Sequence, residues 1–410
     1  MRLTTGRPAQ RRTRLIVAGA ASVAVALMAM IWPLGKGPAA QQEKKPTADQ
    51  VFKNVQALKG ISVDDFLGTM GIMCASLGMD CADCHVGAGT QKVDWAADTP
   101  RKIMARRMVR MVQTINHDNF SGRQLVTCWS CHRGRDRPLT TPTLANVYGP
   151  VPEELDDFLM PTDQPSADQI IDKYLHAVGG LQKLSTVKSF AASGASVGFG
   201  GFGRGGRVQI FASFPDQSAT IIDFPASPER GHSLRIFDGR QGWIETPLSV
   251  LGEYEITGGE LDGAKLDAEL AFPAQIKQVL SNLHAAQATT ISDLPEPSSQ
   301  AAEESKATTS KEHAVNVVQG IGPGGTLVTL YFDAESGFLL REVRYSKSPI
   351  GRIPTQIDYS DYRDVGGVKM PFHLVFAWLD GRDSIQLDKI VVNAKIDPSK
   401  FIKPAPAQPK

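Results

Sequence analysis

Two short stretches of this chain set two thiols and an imidazole at the same fixed spacing: Cys81-Ala82-Asp83-Cys84-His85 and Cys128-Trp129-Ser130-Cys131-His132. Each has the form C-x-x-C-H, the attachment sequence of c-type haem. Two residues between the thiols let one turn reach both vinyl groups of a porphyrin, and the next histidine can offer a nitrogen to iron. The motifs predict two covalently bound haem c groups, held through Cys81, Cys84, Cys128 and Cys131, with His85 and His132 as metal ligands. Rival chemistries explain less. A four-sulfur zinc site built from both pairs leaves the adjacent histidines without a role. A redox dithiol normally occurs once, at the start of a helix in an α/β fold. A pair of structural disulfides also leaves the histidines idle.

An iron held by one histidine has a sixth position, for which methionine sulfur is a suitable soft ligand. Met70 and Met73 precede the first motif, and Met104, Met108 and Met111 precede the second. Spacing does not choose among them, and a methionine on an apolar helical stripe is usually core.

The elements that must position these groups are helices. Ser62 and Asp65 have N-cap spacing, and Phe66, Met70, Met73, Cys74 and Leu77 then repeat at helical period. Thr99-Pro100 is a second start signal, followed by the stripe Met104, Met108, Met111, Val112 and Ile115. Residues 51–145 therefore read as one unit, helix then cysteine motif, used twice. Cys74 reads as a buried free thiol and His117 as a surface residue in a polar turn. Arg106, Arg107, Arg123, Arg133, Arg135 and Arg137 surround the motifs, either to pair with haem propionates or as an ordinary solvated face.

Residues 1–34 read as a signal or N-terminal membrane anchor. Five arginines and no acid occupy the first fourteen positions, and an uncharged stretch follows from Leu15 to Leu34. As a helix it spans about 30 Å, enough for a bilayer core. The arginines keep to the cytoplasmic side, so the remainder faces the periplasm. The length favours an uncleaved anchor over a cleaved signal, for which Pro38-Ala39-Ala40 is a mediocre site. Residues 35–50 are a polar linker. Acidic and basic residues nearly cancel, 43 against 44, which gives no electrostatic case for nucleic acid.

After a second linker at 146–165, the chain to 405 has no cysteine and mostly alternates. Strands are predicted at 207–214, 232–239, 325–332, 338–345, 370–379 and 383–392, with turns at Asp238-Gly239, Glu335-Ser336-Gly337 and Asp380-Gly381. Helices are expected at Asp168–Ala177 and Ala274–Leu283, a flexible hairpin tip at 198–206 and a mobile loop at 286–312. The predicted class is α + β multidomain: a mostly helical dihaem cytochrome domain, then a strongly curved antiparallel sheet with packed helices.

The phrases VFKNVQALKG, DDFLGTMGI, CADCHV, ARRMVRMVQTIN and VTCWSCHRGRDRP resemble the cytochrome c subunit of photosynthetic reaction centres and its smaller two-haem relatives. The resemblance implies axial methionines at Met70 for the first haem and Met108 for the second. This chain has two motifs where the reaction-centre subunit has four, and it adds the cysteine-free part. In that part DKYLHAVGG, FDGRQGW, LYFDAESGFLLREVRY and the terminal IDPSKF resemble the lipoprotein-sorting half-barrels. That implies a half-barrel wrapped around helices, with lipid as a candidate ligand. The expected function is electron transfer between redox partners or within a membrane electron-transfer complex, on the periplasmic side of the cytoplasmic membrane. The chain reads as a carrier, not an enzyme. The alternatives are a dihaem redox enzyme, peroxidase-like or an oxidase subunit, and an envelope lipid-binding module with a cytochrome attached.

Overall fold

The computed structural model describes residues 45–90, 92–141, 144, 164–197, 205–226, 231–246, 252–293, 311–379 and 381–403. The expected membrane segment at 15–34, most of both expected linkers and the glycine run at 198–204 lie outside them. No helix among the described residues is long and apolar enough to cross a membrane. The chain from Lys45 onward clusters as one compact unit.

Its first part is helical: α1 (Ala48–Val51), α2 (Val63–Leu77), α3 (Cys81–Cys84), α4 (Pro100–Phe120) and α5 (Cys128–His132). The predicted start signals operate. Ser62 Oγ accepts from Asp65 N, Thr99 Oγ1 accepts from Lys102 N, and Pro100 opens α4. The expected polar turn around His117 is instead the last turn of α4, which runs to Phe120 because Asn116 is buried and Ser121 takes the left-handed conformation that ends the helix.

The second part begins with α6 (Ala167–Ala177) and α7 (Leu181–Leu184). Six strands follow: β1 (Ser189–Val197), β2 (Gly206–Ser213), β3 (Gln217–Asp223), β4 (His232–Phe237), β5 (Gly242–Glu245) and β6 (Glu253–Ile256). After α8 (Gly258–Leu270) and the short α9 (Ile276–Val279) come seven more: β7 (Ser281–Ser292), β8 (Glu312–Ile321), β9 (Leu327–Asp333), β10 (Leu339–Ser348), β11 (Gly351–Val365), β12 (Val368–Trp378) and β13 (Gly381–Val392). All pairings are antiparallel. The last strand, β13, pairs with the first, β1, so two meanders join into one open sheet of 13 strands with β6 and β7 at its edges. Tight turns set the register. Val365 pairs with Val368 across Gly366-Gly367, both at positive φ, the two-residue turn that suits the strand twist.

The amphipathic α6 buries Ile170, Ile171, Tyr174 and Leu175 against Leu266 of α8 and Val318, Val328, Leu330 and Phe332 of the sheet. Both helices therefore lie on one sheet face. Phe237, Trp243, Tyr345 and Phe372 are buried in the sheet, and Phe211 and Trp378 are half-buried.

Two expectations fail. The helix expected at Ala274–Leu283 is only a short turn that ends at Val279. Leu280 is extended and Asn282 takes positive φ at an irregularity in the β7–β8 register. The loop expected at 286–312 is strand through Ser292 and again from Glu312, with 294–310 outside the described residues. Its alanines and threonines suit a strand here because Ala286 and Ile291 pack on Val315 and Val317.

Helix α8 was not foreseen, and it carries the counter-charges of the sheet. Arg344 on β10 is 1 % exposed and donates from Nε to Asp267 at 3.0 Å, with Glu260 at 3.9 Å. Gly263 leaves room for it: a Cβ there would lie 2.2 Å from Arg344 Nη1. A buried guanidinium is tolerable only beside such partners.

Candidate functional site

Each C-x-x-C-H motif forms an isolated helical turn closed by the same device. In α3, Asp80 accepts from Ala82 N and Asp83 N, while Asp83 accepts back from Asp80 N at 3.0 Å. In α5, Thr127 Oγ1 accepts from Ser130 N, and Ser130 Oγ accepts from Thr127 N at 3.0 Å. These reciprocal caps stabilise turns too short to persist alone. They also put both thiols of each pair, three residues apart, on one face. In each pair one cysteine is exposed, Cys81 or Cys131, and the other half-buried, Cys84 or Cys128.

No disulfide joins any of the five cysteines. Among the described residues no three His, Cys, Asp or Glu side chains converge as a metal cluster, so the two pairs do not form one four-sulfur site. Burial pushes the Cys84 and Cys128 thiols up, the reverse of what a redox dithiol needs.

The histidines are held differently. His132 Nδ1 lies 2.9 Å from Arg135 O, so it carries the proton and leaves Nε2 as the lone-pair nitrogen. His85 is half-buried with its ring edge-on to Trp95, centroids 5.1 Å apart, and burial lowers its proton affinity. Its Nδ1 is buried without a hydrogen-bond partner.

The positioning is crossed. The N-cap of α4 serves the first motif: Thr99 Oγ1 donates to Cys84 O at 2.9 Å, and Arg101 pairs with Asp83 at 2.6 Å. The C-terminus of α2 serves the second: Ser76 O accepts from Gly134 N at 2.9 Å and Arg135 N at 3.2 Å. Gly78 makes this approach possible, since a Cβ there would lie 2.4 Å from Gly134 O. Asn116, which the sequence gave no signal to single out, fixes the lead-in to α5. Its Oδ1 accepts from Leu125 N and Val126 N, and its Nδ2 donates to Val126 O.

Met70 and Met73 are half-buried on α2 in a cluster of Leu58, Ile72, Val109, Ile350 and Ile353, on which Cys128 also packs. Met108 is half-buried on α4. Met104 and Met111, expected on a covered stripe, are 50 % and 44 % exposed. Ile103, Val86, Leu125 and Trp129, near the motifs in sequence, are exposed as well. Of the arginines, Arg106 is committed to Asp98 at 2.7 Å and to Asn54 O, whereas Arg107, Arg123, Arg133, Arg135 and Arg137 are exposed. His117 is exposed and lies beside Asp118. Cys74 is half-buried.

Residues 25–154 match the family model described as photosynthetic reaction centre cytochrome C subunit. The chain is similar to the photosynthetic reaction center cytochrome c subunit of Thermochromatium tepidum, 37 % identical over 98 residues, which is 23 % of each chain. It is also similar to that of Roseobacter denitrificans, 33 % identical over 98 residues, covering 22 % of this chain and 26 % of the relative. The chain thus spans about a quarter of the length of these curated relatives. Among solved structures, a LolA superfamily protein from Nitrosomonas europaea aligns with 58 % of this chain and 99 % of its own, at TM-score 0.35 and 16 % identity. A DUF1329 family protein from Desulfovibrio piger covers 58 % and 97 %, at TM-score 0.37 and 10 % identity.

Asn116→Ala leaves two amide N–H groups and a carbonyl at the lead-in to α5 without partners. It should lower stability by about 1–3 kcal/mol, measured by urea unfolding of the full chain.

Proposed function

We propose that the segment from Lys45 to about residue 141 is a dihaem c-type cytochrome that carries electrons between redox partners. Thioethers at Cys81 and Cys84, and at Cys128 and Cys131, would hold the two groups, with His85 and His132 as iron ligands. The observation that carries the reading is the pair of C-x-x-C-H turns closed by the same reciprocal cap. The donor set fits: His132 keeps one nitrogen free, and His85 holds a buried ring nitrogen that the protein does not satisfy. Bound haem supplies a one-electron couple. The protein's part is to present the sulfurs, orient the imidazoles and cover the ring with apolar side chains, which favours the less charged reduced iron.

Met70 is proposed as the sixth ligand at the first iron and Met108 at the second. The similarity of residues 25–154 to the reaction-centre cytochrome subunits supports this pairing, in which each methionine would lie on the helix that precedes its own motif. Methionine at both irons leaves no open position for a peroxidase-type reaction. The similarity to reaction-centre subunits supports a partner in a membrane electron-transfer complex, and residues 15–34 are proposed to anchor the chain with its haems in the periplasm. For the sheet we propose a half-barrel that takes an apolar ligand, a lipid in the first instance. The placing of α6 and α8 on one face, with a cavity beneath them, supports it.

Protein matured in a host able to attach c haem should show two haems per chain by intact mass and pyridine haemochrome. One haem, or zinc instead, overturns the reading. Met108→Ala should remove the sulfur-to-iron charge-transfer band of one oxidised haem and lower its potential, while Met111→Ala leaves both nearly intact. The reverse pattern would place the ligand one turn away. N-terminal sequencing of the mature protein should still find residues 15–34; a start near Gln41 would show a cleaved signal instead.

A further inference from the structure

A cavity of about 210 Å³ lies between the inner sheet face and helices α6 and α8. Its wall is mostly apolar, formed by side chains such as Phe190, Phe237, Phe272, Leu339, Ile357 and Leu387. A dry apolar cavity of about 150 Å³ accepts benzene, so this one has room for roughly eight carbons.

Two groups in the wall, Glu342 and Arg235, keep a buried polar atom without a hydrogen-bond partner. Glu342, on β10, is 1 % exposed. Its Oε2 accepts from the Tyr359 hydroxyl at 3.1 Å, but its Oε1 is buried with no hydrogen-bond partner. Other polar groups of the wall bear on the same space. Tyr362 donates to Leu339 O at 2.7 Å. Arg235 lies 3.6 Å from Glu260 and 3.9 Å from Asp267, ion-pair distances that leave its buried Nη2 without a hydrogen-bond partner, and Asp267 accepts from Arg344. Each unmatched atom costs stability unless something in the cavity meets it.

We propose that this cavity binds an uncharged, mainly apolar molecule of roughly eight carbons whose single hydroxyl hydrogen-bonds Glu342 Oε1. The inference rests on the reading of the sheet as an apolar-ligand module and adds the head group it selects. Burial, reinforced by Asp267, pushes the Glu342 carboxyl up to about 8, so at neutral pH it is mostly protonated. Oε1 then serves as either donor or acceptor, and a hydroxyl is the smallest uncharged head group that answers both. An anionic head would lose its hydration beside Asp267 and Glu260, and the pairing of Arg235 and Arg344 with those two carboxylates leaves no net positive charge to receive it.

The test uses the intact, haem-loaded protein at pH 7, titrated separately with octan-1-ol and with octanoate and followed by calorimetry. Octan-1-ol should bind at least about tenfold more tightly than octanoate, the equivalent of one hydrogen bond. Glu342→Gln keeps a neutral side-chain oxygen and should retain that preference. Glu342→Leu removes the oxygen and should weaken octan-1-ol by about tenfold with the haem spectrum unchanged. If octanoate binds as tightly as octan-1-ol, the head-group assignment is overturned while the apolar-ligand reading survives. If neither binds, both fall. If Glu342→Leu binds octan-1-ol as the parent does, Glu342 is not the recognising group.

Discussion

Asp64 is 5 % exposed and gives both carboxylate oxygens to Thr257, 193 positions further along the chain. Oδ2 accepts from the Thr257 amide and Oδ1 from its hydroxyl, each at 2.7 Å. A carboxylate so far from water is stable only where donors meet it, so this contact pins the first turn of α2 to the start of α8. The apolar side of α2 rests on the β10–β11 turn through Ile72, Ile350 and Ile353, and Gln124 adds a hydrogen bond to Ser348 O at 2.8 Å. At its other end Gly78 closes on Gly134. With both ends and one side of α2 fixed, the second cysteine turn has one place to sit. The first is set from α4 through Thr99.

The two cysteine turns and the helix starts were legible because they are local. Five consecutive residues carry the thiols and imidazole of each motif, and Ser62, Thr99 and Pro100 cap helices through neighbours within three positions. The strands with clean alternation, such as those around 207–214 and 383–392, were legible for the same reason. The parts that depend on distant partners were not. Strand β11 contains Pro354 and lies between β10 and β12, where a proline argues against a strand. Strand β7 is built of small and polar residues that mean strand only once β8 supplies the valines. Helix α8 contains three glycines, of which Gly263 is explained only by the arginine it admits. Nothing near Asp64 or Asn116 announces the contact each makes.

The two halves of β10 show why the sheet tolerates polar groups on its helical side. Val343 and Tyr345 face one way into a cluster with Val317 and Tyr331. Glu342, Arg344 and Ser346 face the other way, towards α8, which carries Glu260 and Asp267. Arg344 and Ser346 find partners on the helix and make the helix–sheet contact specific. Glu342 lies further along the strand, at the cavity, with one oxygen satisfied by Tyr359. The same face therefore runs from a docking surface for α2 to a ligand-sized space.

The seat of α2 on β10 and β11 also imposes an order on synthesis. A ribosome delivers both cysteine motifs before it delivers Ile350 and Ile353. Until then the nascent chain shows Leu58 and Ile72 to the surroundings, and their contacts span most of the polypeptide. Such non-local closure is slow compared with helix formation. A prematurely terminated chain that ended before β10 would carry every cysteine and histidine of the two C-x-x-C-H turns yet lack the surface that holds them in register. The register of the two N-terminal cysteine turns is thus vested in the C-terminal third of the message, and lesions there would be felt first at those turns.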